Sequence, residues 1–223
     1  MHTVVLATQK GGSGKSTIAM GLAVAAIEDG QRVVMIEADP QGTVSKWGRR
    51  RTNLAPRIDR VGNGIEIRES LAGLEQERFT LAIIDTAATN NDLSSDAMSV
   101  ADLCLIPARP SVADIEAALP TLAVIRKRER PFAFVLNQTP ARSYRLSEAA
   151  SALNSLGVLA LPYIVQRNDH QDAMGAGLGV TEFAPNGKAA EEIRDLWRWV
   201  RERLAAKSFI MNEPRSERPV SFA

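Results

Sequence analysis

Cysteine, aromatic residues and net charge are all scarce in this sequence of 223 residues. Its one cysteine, Cys104, excludes an intrachain disulfide and a metal cluster held by several cysteines of one chain. The apolar neighbours of Cys104 predict a small buried core residue. The formal net charge is only +1, so no global field would hold the chain on nucleic acid. Any contact with DNA would need a local basic patch.

Long apolar segments are missing as well. Residues 1–12 contain no basic region that leads into a long apolar stretch, so we expect no signal peptide. No run approaches the roughly 20 apolar residues that a membrane-spanning helix needs. Hydrophobic residues make up 45% and charged residues 24% of the chain, as in an ordinary folded domain. We therefore expect a cytoplasmic globular protein.

Short apolar runs alternate with helical patterns along the chain. The apolar runs predict buried strands at residues 3–7, 33–38, 81–85, 103–107 and 132–137. The helical patterns fall at residues 16–29, 92–100, 112–128, 147–156 and 188–207. This alternation predicts a single α/β domain over residues 1–207, doubly wound, with a mostly parallel sheet and helices on both faces. Residues 47–64 are interpreted as a helix end and a loop, and residues 208–223 as a flexible tail.

A glycine-rich segment, QKGGSGKST at residues 9–17, follows the first predicted strand and opens the first predicted helix. Glycines let successive backbone N–H groups approach phosphates without a Cβ clash, and the helix adds its positive N-terminal end. In this pattern Lys15 reaches the β- and γ-phosphates and the Ser16 hydroxyl binds Mg²⁺. A turn that merely connects strand and helix would not require the Gly-Lys-Ser ending. The nucleotide-binding residues predicted here are Lys10, Gly11, Gly12, Ser13, Gly14, Lys15, Ser16 and Thr17.

The segment departs from the general phosphate-loop motif at one informative place. The motif has glycine where this chain has Gln9, and a second lysine, Lys10, enters the loop. The pattern KGGxGK[ST] resembles the deviant Walker A motif of the ParA/MinD family of dimerising ATPases, whose fold is of the P-loop NTPase type. The resemblance implies that Lys10 contacts the phosphates of ATP in a partner subunit, so that ATP closes a homodimer. Such a lysine would neutralise charge near the γ-phosphate and couple dimerisation to the nucleotide state.

Two aspartates follow predicted strands. Asp39, in the stretch Asp-Pro-Gln-Gly, resembles the family's first switch, which orients or activates the attacking water near Mg²⁺. The alternative is a simple turn, because Asp and Pro favour turns. Glu37 stands where many family members carry a further aspartate. Asp85 ends an apolar strand in the manner of a Walker B motif, whose carboxylate holds Mg²⁺ through water. The resemblance thus assigns catalysis to Lys10, Lys15 and Asp39, and Mg²⁺ to Ser16, Asp39 and Asp85.

The resemblance also places the adenine base near Asn137 and Pro162, although either residue could simply end a strand. It extends from Thr3 to about Leu204. His170 is interpreted as a solvated helix residue, because no second histidine or cysteine lies near it in the sequence.

Members of the ParA branch bind DNA non-specifically as ATP dimers and hydrolyse ATP when an adaptor of the ParB type stimulates them. Four basic clusters could contact phosphates here: Arg49–51; Arg126, Lys127, Arg128 and Arg130; Arg142 and Arg145; and Arg194, Arg198, Arg201 and Arg203. The alternative for each cluster is a solvated surface balanced by acidic neighbours.

The leading hypothesis is a small ParA-type ATPase that partitions or positions DNA or a large cargo on the nucleoid. The alternative is a MinD-like spatial regulator that acts at a membrane or on a protein partner without DNA. The last residues show no sustained apolar stripe, which argues against a membrane cycle. A third possibility, a metabolic P-loop enzyme, is disfavoured by Lys10 and by the lack of an obvious acceptor site.

Overall fold

The computed structural model describes residues 1–89, 91–140 and 144–206. The strands in this part of the chain are β1 (His2–Leu6), β2 (Val33–Ala38), β3 (Arg57–Arg60), β4 (Leu81–Thr86), β5 (Leu103–Ala108) and β6 (Phe132–Leu136). The helices are α1 (Lys15–Glu28), α2 (Thr43–Gly48), α3 (Gly64–Gln76), α4 (Asp92–Ser99), α5 (Val112–Lys127), α6 (Tyr144–Leu156), α7 (Asp169–Gly175), α8 (Val180–Phe183) and α9 (Lys188–Ala205).

The six strands pair in parallel in the order β3-β2-β4-β1-β5-β6. Successive strand side chains point to opposite faces, and each face has its own apolar core. Val4 and Leu6 pack in the core under α1, α2 and α9, whereas Val5 and Ala7 pack in the core under α3 to α6. The predicted α/β sheet with helices on both faces is confirmed.

The interpretation of residues 47–64 is partly wrong. A helix does end at Gly48, but the sequence Arg-Ile-Asp-Arg at residues 57–60 forms β3 at one edge of the sheet. An edge strand has one neighbour and less buried surface, so it needs no continuous apolar run. The following helix α3 was also not predicted; its N-cap Asn63 accepts hydrogen bonds from the backbone N–H groups of Ile65 and Glu66.

Several other predictions concern the ends and the core. The last predicted helix is present as Lys188–Ala205, and Cys104 is fully buried. Burial raises the pKa of the Cys104 thiol to about 12, so the thiol stays protonated and unreactive at neutral pH. The predicted tail, residues 208–223, and Arg142 lie outside the described residues. Within residues 1–89, 91–140 and 144–206, no helix combines the length and the apolar character needed to cross a bilayer.

Candidate nucleotide-binding site

The carboxyl ends of three neighbouring strands bring the predicted site residues together. The order β2-β4-β1 places Asp85 between the other two strands, and its Cα is in register with those of Leu6 and Glu37. The phosphate loop follows β1, and Asp39 follows β2. Because parallel strands end at the same edge of a sheet, the loop, Asp39 and Asp85 form one site there.

The glycines of the loop have two different roles. Gly12 and Gly14 adopt left-handed backbone angles, with φ of +74° and +91°. A Cβ on Gly14, the N-cap of α1, would overlap Nδ2 of Asn137. A Cβ on Gly11 or Gly12 would meet no atom within 4 Å, so open space lies beside this part of the loop. Gly14 therefore allows Asn137 to pack closely against the loop, and Gly11 and Gly12 leave room for a phosphate chain.

Lys15 supplies a buried positive charge at the start of α1. Its side-chain Nζ donates hydrogen bonds to the carbonyl oxygens of Thr8, at 3.1 Å, and Lys10, at 3.5 Å. Burial lowers the pKa of Lys15, and the carboxylates of Asp85 and Asp39 act in the opposite direction. An incoming polyphosphate would supply the anionic partner that this ammonium group requires.

Asp85 and Ser16 form the part of the site that suits a metal ion. The Ser16 hydroxyl donates a hydrogen bond of 2.6 Å to Oδ2 of Asp85, which is fully buried. Burial raises the pKa of Asp85 to about 7, although the Ser16 hydrogen bond and the charge of Lys15 lower it. The other carboxylate oxygen, Oδ1, is buried and has no hydrogen-bond partner among the described residues.

A buried carboxylate oxygen without a partner is costly, and water bound to Mg²⁺ would satisfy it. Within the described residues, no group of three or more His, Cys, Asp or Glu side chains could hold a metal ion alone. The donor set therefore fits an ion shared with nucleotide phosphates, which is how Mg²⁺ commonly binds to proteins.

The two acidic residues of β2 and its following loop have different surroundings. Asp39 is partly exposed, and its Oδ1 accepts a 2.8 Å hydrogen bond from the backbone N–H of Gln41, as in a turn. Glu37 is buried and accepts hydrogen bonds from the backbone N–H of Val44, at 2.7 Å, and from the hydroxyl of Ser45. Glu37 therefore caps the N-terminus of α2, whereas Oδ2 of Asp39 accepts no hydrogen bond within the described residues.

Two side-chain amides that follow β6 donate hydrogen bonds to backbone carbonyls of the phosphate loop. Nδ2 of Asn137 donates to the carbonyl oxygen of Ser13 at 2.7 Å, and Nε2 of Gln138 donates to that of Gly12 at 2.9 Å. Gln138 was not recognised in the sequence, because one glutamine after a strand carries no distinguishing pattern. These bonds couple the loop to the predicted base site.

A cavity of about 100 Å³ adjoins the loop, and its lining includes Gly14, Thr17, Asn137, Ile164, Gln166 and His170. Asn137 lines this cavity, whereas Pro162 is not among the described residues that line it. The interpretation of His170 as a solvated helix residue is only partly right, because the residue lies on α7 and is partly exposed but also lines the cavity. Burial lowers the pKa of His170, and its buried Nε2 has no hydrogen-bond partner in the part of the chain that the structure describes. α7 places this side chain against the cavity, which the isolated sequence does not show.

Lys10 lies half-exposed at the rim of the loop and makes no ion pair within the described residues. Its charge acts on Asp114 at the start of α5. Burial opposes ionisation of Asp114, but hydrogen bonds from Arg109 and Ser111 and the charges of Arg109 and Lys10 keep its pKa low. Lys10 is thus accessible at the face where the phosphate loop meets solvent.

The predicted basic clusters differ in how far acidic groups neutralise them. On α9, Arg194 pairs with Glu28, Arg198 with Asp195, and Arg201 with Asp29. Arg51 is buried against Glu182. By contrast, the exposed side chains of Arg49, Lys127 and Arg130 make no ion pair, side-chain hydrogen bond or ring contact within the described part of the chain.

Comparison with known proteins gives a consistent result. The family model of the CobQ/CobB/MinD/ParA nucleotide binding domain matches residues 4–180. The maintenance of carboxysome distribution protein A of Halothiobacillus neapolitanus is 28% identical over 211 residues, which cover 87% of this chain and 94% of that protein. Protein ParA of Rhizobium radiobacter is 28% identical over 180 residues, 75% of this chain and 79% of that protein. The cell division ATPase MinD of Pyrococcus furiosus has the same fold, with a TM-score of 0.74, 17% identity, and coverage of 90% and 98%.

Proposed function

Because this chain belongs to the CobQ/CobB/MinD/ParA family of nucleotide-binding domains, we propose that it is a dimerising ATPase that partitions or positions DNA or a large cargo. The observation that carries the proposal is the group of Lys15, Ser16 and Asp85 beneath a glycine loop with open space beside it. This group combines a buried cation, a hydroxyl and a carboxylate oxygen that lacks a partner.

Each side chain has a defined task in this proposal. Lys15 neutralises charge on the β- and γ-phosphates, and the backbone N–H groups of residues 11–16 bind phosphate oxygens. Ser16 and Asp85 hold Mg²⁺, which when bound would neutralise phosphate charge. Asp39 orients the attacking water through the carboxylate oxygen that Gln41 does not occupy. Asn137 contributes to the base site beside the loop.

Lys10 supports the dimeric part of the proposal. We infer that this second lysine of the loop, half-exposed at the rim and without an ion pair within the described residues, contacts the phosphates bound by another copy. ATP would then link the two copies, and hydrolysis would release them. The site is complete only in the homodimer.

The partners and the location follow from relatives. Because relatives include a carboxysome-distribution protein and a ParA protein, we propose a cytoplasmic protein whose ATP dimer binds nucleoid DNA without sequence preference. An adaptor of the ParB type would bring the cargo and stimulate hydrolysis.

The test is ATP turnover by the wild type and by Asp39→Ala, with and without DNA of arbitrary sequence. We expect turnover in the wild type and a loss of about 100-fold or more in Asp39→Ala with ATP binding retained. A mobility shift with ATP but not with ADP would support the DNA part. Turnover without any shift would contradict the DNA part and favour a regulator that acts without DNA.

A further inference from the structure

Arg51 makes an unusually complete set of contacts for a residue outside the nucleotide site. Only 3% of its side chain is exposed. The guanidinium donates two hydrogen bonds of 2.9 Å to the two carboxylate oxygens of Glu182, one of 3.0 Å to the carbonyl of Gly177 and one of 2.9 Å to that of Ala55. It also lies 4.5 Å above the ring of Trp47.

Neighbouring residues extend this connection between α2 and the segment of α7 and α8. Nε1 of the buried Trp47 donates to the carbonyl of Leu178 at 3.0 Å, and Arg50 donates to that of Met174 at 3.1 Å. At Gly177, a Cβ would lie 2.5 Å from the carbonyl carbon of Arg50, so the two chains are in close contact. We call these contacts of residues 47, 50 and 51 with residues 174–182 the α2 latch.

The position of α2 matters because Asp39 precedes it by a short connection. Only residues 39–42 link the end of β2 to the start of α2. A helix of six residues is too short to be stable alone, so its place depends on contacts at its ends. Glu37 caps its N-terminus, and the α2 latch holds its C-terminus. With both ends held, the connection that carries Asp39 has little freedom.

We propose that Arg51 is a positioning residue, which fixes α2 through Glu182 and thereby holds Asp39 in place for ATP hydrolysis. This inference depends on the proposed function of Asp39. A bidentate arginine–carboxylate pair defines orientation as well as distance, which a positioning role requires. Buried ion pairs are weak evidence for added stability, so the geometric role is the better account of this one.

The far side of the α2 latch borders the nucleotide site as well. α7 contributes His170 and Gln171 to the cavity beside the phosphate loop, and the same segment continues to Met174 and Gly177. The latch thus joins the wall of the base cavity to the helix that follows Asp39.

The experiment compares Arg51→Lys, Glu182→Gln and Arg51→Ala with the wild type, by single-turnover hydrolysis and by ATP affinity. We expect kcat to fall about 10-fold or more in all three, because small displacements of a catalytic group have large effects. ATP affinity should change less than kcat, since the phosphate loop is untouched and α7 contributes only part of the cavity wall. Guanidinium at millimolar concentration should partly restore kcat in Arg51→Ala but not in Arg51→Lys.

Arg201→Ala is the matched control. Arg201 also joins distant segments through its guanidinium, which donates to both carboxylate oxygens of Asp29, but within the described residues it makes no hydrogen bond or ion pair with α2 or with residues 174–182. Its kcat should equal that of the wild type.

Folded Arg51→Lys and Glu182→Gln with unchanged kcat would overturn the inference, even if Arg51→Ala did not fold. The same holds for a loss that appears only in ATP affinity, or that the control shares. A wild type without turnover would contradict the proposed function itself.

Discussion

Asp85 connects the chemistry of the site to the stability of the fold. Its folded pKa of about 7 lies above the ordinary value of 3.8, mainly because of burial. The folded protein therefore binds more protons than the unfolded chain between these two pH values. The contribution of this group to stability is fully present below about pH 4 and is lost as the pH rises through 7.

We predict that Asp85→Asn reduces the loss of stability between pH 5 and pH 7 in the nucleotide-free protein. A difference of one bound proton between the folded and unfolded states changes the free energy of unfolding by up to about 1.4 kcal/mol per pH unit. Urea unfolding at several pH values measures this slope. The half-exposed Asp195→Asn is the control and should follow the wild type. Equal slopes for Asp85→Asn and the wild type would contradict the prediction.

Gly14 offers a second test at a single residue. We predict that Gly14→Ala abolishes nucleotide binding and costs about 1–3 kcal/mol of stability, because the left-handed backbone and Asn137 both oppose a Cβ. Gly73→Ala in α3, where a Cβ meets nothing within 4 Å, should instead stabilise the protein by about 0.5–1 kcal/mol. Fluorescent-nucleotide titration and urea unfolding measure both effects. Wild-type binding by Gly14→Ala would refute the predicted role.

At the scale of elements, α9 and the end of α5 differ although both are rich in arginine. The ion pairs of Arg194 and Arg201 connect α9 to α1, so this basic face is used largely for packing between helices. Lys127 and Arg130 are exposed and make no ion pair within residues 1–89, 91–140 and 144–206. The sequence shows an arginine-rich segment in both places and does not distinguish these two situations.

We predict that the double variant Lys127→Ala, Arg130→Ala weakens ATP-dependent DNA binding. The slope of the logarithm of the binding constant against the logarithm of the salt concentration should become less steep by about one for each cation removed. Arg201→Ala should leave DNA binding unchanged and cost at most about 1 kcal/mol, as a solvent-accessible ion pair. Fluorescence anisotropy at several salt concentrations measures both. The opposite ranking of the two variants would show that α9 carries the DNA surface.

At the scale of the whole molecule, the question is whether two copies complete the site. We predict that Lys10→Ala still binds ATP but remains a monomer, because Lys15 and the loop stay intact while the contact to the partner's nucleotide is lost. Size-exclusion chromatography with light scattering, in an Asp39→Ala background that preserves ATP, measures the mass. Arg203→Ala, which removes a cation stacked on Trp199, is the control and should dimerise. Dimers of Lys10→Ala would contradict the role of this lysine.

The sequence alone determined the features that depend on local backbone geometry and on periodicity. The phosphate loop could be predicted because glycines, lysine and serine at fixed spacing have few structural alternatives, and five strands because both of their faces are buried. β3 was missed because three of its four residues are charged and none of the four is fully buried.

Only the tertiary structure decided which distant groups meet. Asn137 contacts Ser13 across 124 positions, and Arg201 contacts Asp29 across 172. The same holds for the cap made by Glu37, for the position of His170 beside the cavity and for the burial of the Arg51 side chain against Glu182. The physical reason is that hydrogen bonds and ion pairs depend on the separation of atoms in space. A single sequence records only their order along the chain.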